Sequence, residues 1–308
     1  MPTLEITTLI GCPLKCAFCP QDKLRESYGD GERRLSFENF KTILAKIPDY
    51  VRIDFSGMSE PFAIGASAVE MIRHTLERGY SIALYTTLVG LHQPAADVVI
   101  ELLTAHASQV EVLCLHLPDA NGNMRGFRYG PIYEKVLDRF IKFGGSGVLS
   151  RFEMMTMDRS GRVHPDILNI AKLSDWQGLS RAGTLAAGDI GQQQVEETPR
   201  HTTPVGCSFT PFYDQNVLLP NGDVLLCCMS YDGKHKLGNL LEGDYWSLFT
   251  SPGMSSLRHE NQNFGWSERS ACRSCSRATR YDVPADKRQT WAIVKDEAPA
   301  EALAVVGS

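Results

Sequence analysis

The chain has no uninterrupted apolar run of about eighteen residues, the length a membrane-spanning helix needs. No basic, apolar, small-residue signal segment opens it either. Together these absences predict a soluble, cytoplasmic protein. No Lys/Arg-rich block stands out and the net charge is −5, which argues against a nucleic-acid backbone as partner. There is no internal repeat. An odd count of nine cysteines does not make a fully paired disulfide framework. In a reducing compartment, cysteines in that number read as metal ligands and free thiols. With 308 residues, 43% of them hydrophobic, the chain can bury one large core plus a small one.

The first two thirds alternates strand-like and helix-like segments. Strands are expected at 4–10, 51–55, 81–87, 110–117, 148–157 and about 176–180. Between them, Ser36 reads as the cap of a helix carrying Phe37, Phe40, Ile43, Leu44 and Ile47 on one face. Further helices are expected at 66–78, closed by Gly79, from Pro94 to about residue 107, at 132–143 and at 166–173. Such alternation implies an α/β fold with a parallel sheet and right-handed crossovers. Six units fall short of a closed eight-fold barrel. Residues 191–204 are polar and read as a linker. Beyond them, 212–219 and 224–229 form a β-hairpin turning at Asn221-Gly222. The tail, 284–308, carries no clear pattern.

The richest chemical signal is Gly11-Cys12-Pro13-Leu14-Lys15-Cys16-Ala17-Phe18-Cys19, a C-x3-C-x2-C loop directly after the first strand. It supplies three thiolates where a closed structural site takes four. Cubane iron–sulfur clusters usually take four cysteines, so three suggest a [4Fe–4S] cluster with one iron open to a substrate. A zinc knuckle completed by a distant fourth ligand is the alternative.

This loop resembles the signature of the radical S-adenosylmethionine (radical SAM) superfamily. The resemblance implies a partial (β/α)6 TIM-like barrel over residues 1–190, with its active site at the C-terminal ends of the strands. It also implies that the open iron chelates SAM, that SAM is cleaved to a 5′-deoxyadenosyl radical, and that a flavodoxin- or ferredoxin-type protein donates the electron. Phe18 then packs near the adenine. Ser56-Gly57-Met58-Ser59-Glu60-Pro61 resembles the family's Gly-Gly-Glu motif, with Glu60 as partner of the methionine ammonium and Gly57, Met58 and Ser59 supplying backbone contacts. An ordinary βα turn would use the same residue types. Thr87 stands where relatives often contact the ribose, although two β-branched residues also suit a strand end.

A second set, C-x14-G-x4-C followed by C-x2-C, comprises Cys207, Cys227, Cys272 and Cys275. It resembles the SPASM/twitch extension of radical SAM enzymes, here a small β-hairpin plus helix domain over 205–283. With no cysteine after Cys275 it resembles the twitch form, implying one auxiliary [4Fe–4S] cluster. Four-cysteine zinc is the alternative. Cys228, next to Cys227, reads as structural.

Cys114 and His116 share one face of the fourth strand. Cys114 is a candidate hydrogen-atom donor or a buried small hydrophobe, and His116 a candidate proton acceptor or a hydrogen-bonded histidine. Arg151, Glu153, Met155 and Met157 share a face of the fifth strand, making Glu153 a second candidate base unless that face points outward. Arg181, in Ser180-Arg181-Ala182-Gly183, is a candidate carboxylate clamp or a solvated loop charge. The resemblance implies a radical SAM oxidoreductase of natural-product biosynthesis acting on a small polar substrate such as a sugar or aminocyclitol. Dehydrogenation leads, with the auxiliary cluster as electron acceptor. Epimerisation and peptide modification are the alternatives, and a non-catalytic zinc-binding module is the reading from a different class. The near-immediate start at the first strand, with no leader-gripping module before it, favours the small substrate.

Overall fold

The computed structural model describes residues 1–156, 161–167, 173–174, 181–185 and 199–280. Five parallel strands come first: β1 (Thr3–Ile6), β2 (Arg52–Phe55), β3 (Ile82–Thr86), β4 (Val110–Leu117) and β5 (Phe152–Thr156). Helices α1 (Gln21–Tyr28), α2 (Phe37–Leu44), α3 (Ala66–Glu77), α4 (Gln93–Ala105) and α5 (Pro131–Gly144) run between them. The expected sixth strand, the middle of the 166–173 helix, Met157 and the tail lie outside the described residues.

Local chemistry accounts for most boundaries. The Ser36 hydroxyl accepts from the Asn39 amide at 3.1 Å, capping α2 and aiming Phe40, Ile43 and Leu44 inward. Gly79 takes φ +88 just beyond α3. The strands are apolar on their outer face, where Leu4, Ile6, Ile53, Phe55 and Leu84 meet α2–α5 in one core. Phe40 of α2 and Phe55 of β2 meet with ring centroids 6.2 Å apart. The opposite face is different in kind. It carries Glu5, Asp54, Tyr85, Cys114, His116 and Glu153 in alternation with the core residues.

The C-terminal third adds β6 (Val205–Cys207), β7 (Gln215–Leu218), β8 (Asp223–Leu225), β9 (Lys236–Asn239), α6 (Ser247–Thr250), α7 (Pro252–Gln262) and β10 (Ala278–Arg280). The hairpin forms as expected, with Gly222 at φ +87 in its turn. A Cβ there would come within 2.6 Å of Asn239 Oδ1. The hairpin also continues the barrel sheet, because β7 pairs in parallel with β1, Leu4 opposite Asn216. The strand order is therefore β5-β4-β3-β2-β1-β7-β8-β9, with β6 and β10 as a separate antiparallel pair. This is an open α/β partial barrel joined edge-on to a small hairpin-and-helix unit.

Candidate active site

The cysteine loop follows β1 and is held from two directions. Lys15 and Ala17 amides donate to the Arg125 and Asn123 carbonyls, each at 2.8 Å. Cys12, Cys16 and Cys19 all line two cavities, of about 480 Å³ and about 120 Å³. The smaller one is bounded by Phe18, Glu60, Thr87, His116, Arg181 and Tyr231. Burial pushes the Cys12 thiol up to about 11 and raises Cys16 as well, with Cys19 and Cys12 reinforcing the rise at Cys16. Thiols so placed stay protonated until a cation displaces the protons.

The loop after β2 is built around one close approach. Gly57 has φ +51, and a Cβ there would lie 2.6 Å from Thr7 Oγ1 and 2.7 Å from the Ile6 carbonyl. Only glycine fits. The Met58 amide donates to Thr7 Oγ1 at 3.0 Å, and its carbonyl accepts from Gln21 Nε2 at 2.5 Å. The Ser59 hydroxyl accepts from the Leu9 amide at 3.3 Å. Glu60 is buried, and its carboxylate accepts from the Thr86 hydroxyl at 2.6 Å and from both the amide and hydroxyl of Thr87 at 2.7 Å. Glu60 thus ties the end of β3 to the loop after β2. Desolvation raises its pKa even against those donors.

His116 lines the smaller cavity near the end of β4. Burial, helped by the Arg181 charge, lowers its pKa to about 4, so its imidazole is neutral at neutral pH. Cys114 lies one inward position deeper, packed with Ala83 and Val112. Its thiol is pushed up to about 12, first by burial and then by Glu153. Glu153 pairs with Arg151 at 2.6 Å near the start of β5, three positions from the strand end. Of these three, only His116 lines the cavity that the cysteine loop opens on.

Arg181 has φ +47 and is no solvated charge. Its Nε donates to the Phe18 carbonyl at 3.4 Å and its Nη1 to the Cys228 carbonyl at 3.2 Å. Its guanidinium lies 5.4 Å from the Tyr231 ring centroid. One side chain thereby spans the first cysteine loop and the second. Phe18 itself packs with Leu185 and Met155.

Cys207, Cys227, Cys272 and Cys275 surround one further cavity, of about 50 Å³, which Glu5 and Cys228 also line. Burial raises Cys227, and Cys228, Cys272 and Cys275 add to that rise; Cys207 acts likewise on Cys272. Arg273 fixes the surrounding loops from inside, donating to the carbonyls of His201, Thr203, Glu260 and Asn263. All nine cysteines are free. Among the described residues no three metal-binding side chains are already closed into a shell. The structure supplies two soft donor sets, three thiols beside an open cavity and four around a tight one. Both compositions suit iron–sulfur ligation.

Glu5, like Tyr231, is a site residue that sequence reasoning missed. It projects inward from β1, accepts from the Ser56 hydroxyl at 3.3 Å and lines the four-cysteine cavity beside Cys228. Burial and then the Asp54 charge lift its carboxyl to about 7. A charged residue at an inward position of an otherwise apolar strand was the available signal.

Comparison with known proteins agrees with this geometry. Residues 207–276 match the SPASM iron–sulfur cluster-binding domain, a span that contains all four cysteines of the second set. No curated protein matches the chain. Among solved structures, BtrN in complex with AdoMet and 2-DOIA aligns with TM-score 0.56 at 14% identity, covering 91% of this chain and 93% of that one. BtrN in an open conformation aligns with TM-score 0.50 at 14% identity, over 90% and 92% of the two chains. Streptococcus suis SuiB bound to precursor peptide SuiA gives 0.47 at 16% identity, over 89% and 69%. The C-terminal region is therefore a SPASM-type iron–sulfur cluster-binding domain, and the sheet that carries the first cysteine loop has the fold seen in BtrN. Among the described residues no helix is long and apolar enough to cross a membrane.

Proposed function

We propose that the protein is a radical SAM oxidoreductase that dehydrogenates a small polar substrate held between the two cysteine sets. The observation that carries this reading is Arg181, whose guanidinium reaches the Phe18 carbonyl on one side and the Cys228 carbonyl on the other. It links the loop that carries the first cysteine set to the strand end that carries part of the second. When bound, a [4Fe–4S] cluster with SAM supplies a 5′-deoxyadenosyl radical able to remove a hydrogen atom. Cys12, Cys16 and Cys19 would hold that cluster, and Cys207, Cys227, Cys272 and Cys275 the auxiliary one.

The chain's own residues do the rest. The loop from Gly57 to Glu60 and the end of β3 at Thr87 form the wall against which SAM is oriented. Phe18 closes one side and excludes water. His116 is the proton acceptor at the substrate, because its imidazole is neutral at working pH and it lines the cavity. Glu153 is tied to Arg151 and set deeper. One electron remains after the hydrogen atom and the proton have left; a group held by Cys207, Cys227, Cys272 and Cys275, whose cavity Glu5 and Cys228 also line, would accept it. The fold neighbour BtrN, crystallised with AdoMet and 2-DOIA, favours a small polar substrate.

Product analysis with candidate polyols and amino sugars tests this. A product two hydrogens lighter than the substrate, with no solvent deuterium at the abstracted carbon, supports dehydrogenation. An isomer carrying solvent deuterium, lost in Cys114→Ala, would instead assign epimerisation.

A further inference from the structure

Tyr231 lies just past Cys227-Cys228, in the matched C-terminal domain, yet its phenol reaches the other cysteine set. Its Oη is 3.1 Å from Cys19 Sγ. The ring is 2% exposed and packs among Ile10, Leu24, Met58 and Val217, residues from both halves of the chain. Arg181 lies over it. The contact is therefore fixed by packing on every side. Gln21 Nε2 is a second donor to the same sulfur, at 3.3 Å.

We propose that Tyr231 is a positioning residue that sets the reduction potential of the cluster held by Cys12, Cys16 and Cys19, by donating its phenolic hydrogen bond to the Cys19 thiolate. This rests on the reading that these cysteines carry a cluster. A ligating cysteine has no proton to give, so the hydroxyl must be the donor, and a phenol keeps its proton at neutral pH. Hydrogen bonds to charged acceptors are the stronger kind. A donor at a ligand sulfur stabilises the more negative, reduced cluster over the oxidised one and raises its potential. The donor comes from the C-terminal domain, so the radical-generating site reaches its working potential only when that domain is packed against it.

The test is a redox titration of the reconstituted full-length protein, following the reduced-cluster electron paramagnetic resonance signal whose line shape SAM alters. In Tyr231→Phe the ring and its packing remain and only the donor is lost. The expected result is full iron content and a midpoint shifted negative by a factor of about ten in the reduction equilibrium, ~59 mV for one electron. Uniform replacement of tyrosine by 3-fluorotyrosine strengthens the donor. It should shift the midpoint positive in the parent chain and leave it unmoved in the Tyr231→Phe background, a comparison that holds even if the variant loads poorly. An unchanged midpoint in loaded Tyr231→Phe, or a fluorotyrosine shift that persists without Tyr231, overturns the proposal. Failure of the parent chain to show any SAM-responsive signal overturns the underlying reading instead, and the proposal with it.

Discussion

Arg181 Nη1 donates to the Cys228 carbonyl at 3.2 Å, from a backbone held at φ +47. A guanidinium can direct donors to two carbonyls at once, whereas a lysine ammonium is a point charge on a flexible stem. Arg181→Lys should therefore keep the charge and lose the bridge. We expect substrate turnover to fall about 100-fold, the scale of a displaced reacting group. SAM cleavage without substrate should change far less. Parallel loss of both rates would place Arg181 at SAM rather than between the two cysteine sets.

Glu60 makes a second prediction. Its carboxylate accepts three hydrogen bonds from Thr86 and Thr87 and a fourth from the Phe62 amide at 3.2 Å. Glu60→Gln puts an amide donor among those donors. A lost buried partner costs about 1–3 kcal/mol. Thermal unfolding should show that loss, and SAM binding should weaken because the loop after β2 is no longer tied to β3. Unchanged stability would mean the Thr87 contact is incidental.

Gly57 and Met58 should differ in how much a substitution costs. Gly57→Ala meets both the left-handed backbone and the Thr7 and Ile6 atoms beneath it. The conformation alone costs about 1–2 kcal/mol, and the contact adds to it. Met58 is buried, but its backbone makes the polar contacts. Met58→Leu, which conserves volume, should cost less than about 1.5 kcal/mol. Denaturant midpoints of the two variants check the contrast.

The Glu5 carboxyl predicts a pH dependence. Its folded pKa, about 7, lies above the ordinary 4.5, so the folded chain holds a proton that the unfolded chain releases between those values. Its contribution to stability is full below about 4.5, declines as pH rises, and is gone above about 7. Glu5→Gln removes this titration. In the iron-free chain, its stability relative to the parent should rise from pH 4.5 to 7 by up to about 3 kcal/mol, then level off. A gap independent of pH, measured by denaturant unfolding, would show that Glu5 titrates normally.

Much of this was legible in the sequence because the signals were local. The apolar runs behind β2, β3 and β4, the Ser36 cap and the Asn221-Gly222 turn all announce themselves within a few residues. The cysteine spacings did the same for the two sets, each of which lines a cavity of its own. What was hidden depended on distant partners. Helix α1 carries Leu24 as its one large aliphatic residue and shows no stripe. The β1–β7 pairing joins segments some 210 residues apart, and no local pattern encodes it. Glu5 and Tyr231 gain their significance only once that pairing brings the hairpin against the first strand.

The central claim is that one cysteine set is built to react with SAM and the other to hold a closed cluster. Anaerobic reconstitution with iron and sulfide, followed by dithionite and SAM, tests it most directly. Two four-iron clusters predict about eight irons per chain and release of 5′-deoxyadenosine. Cys12→Ala should abolish that release, while Cys272→Ala should lose about half the iron and keep it. Bound zinc at both sites with no 5′-deoxyadenosine would contradict the account.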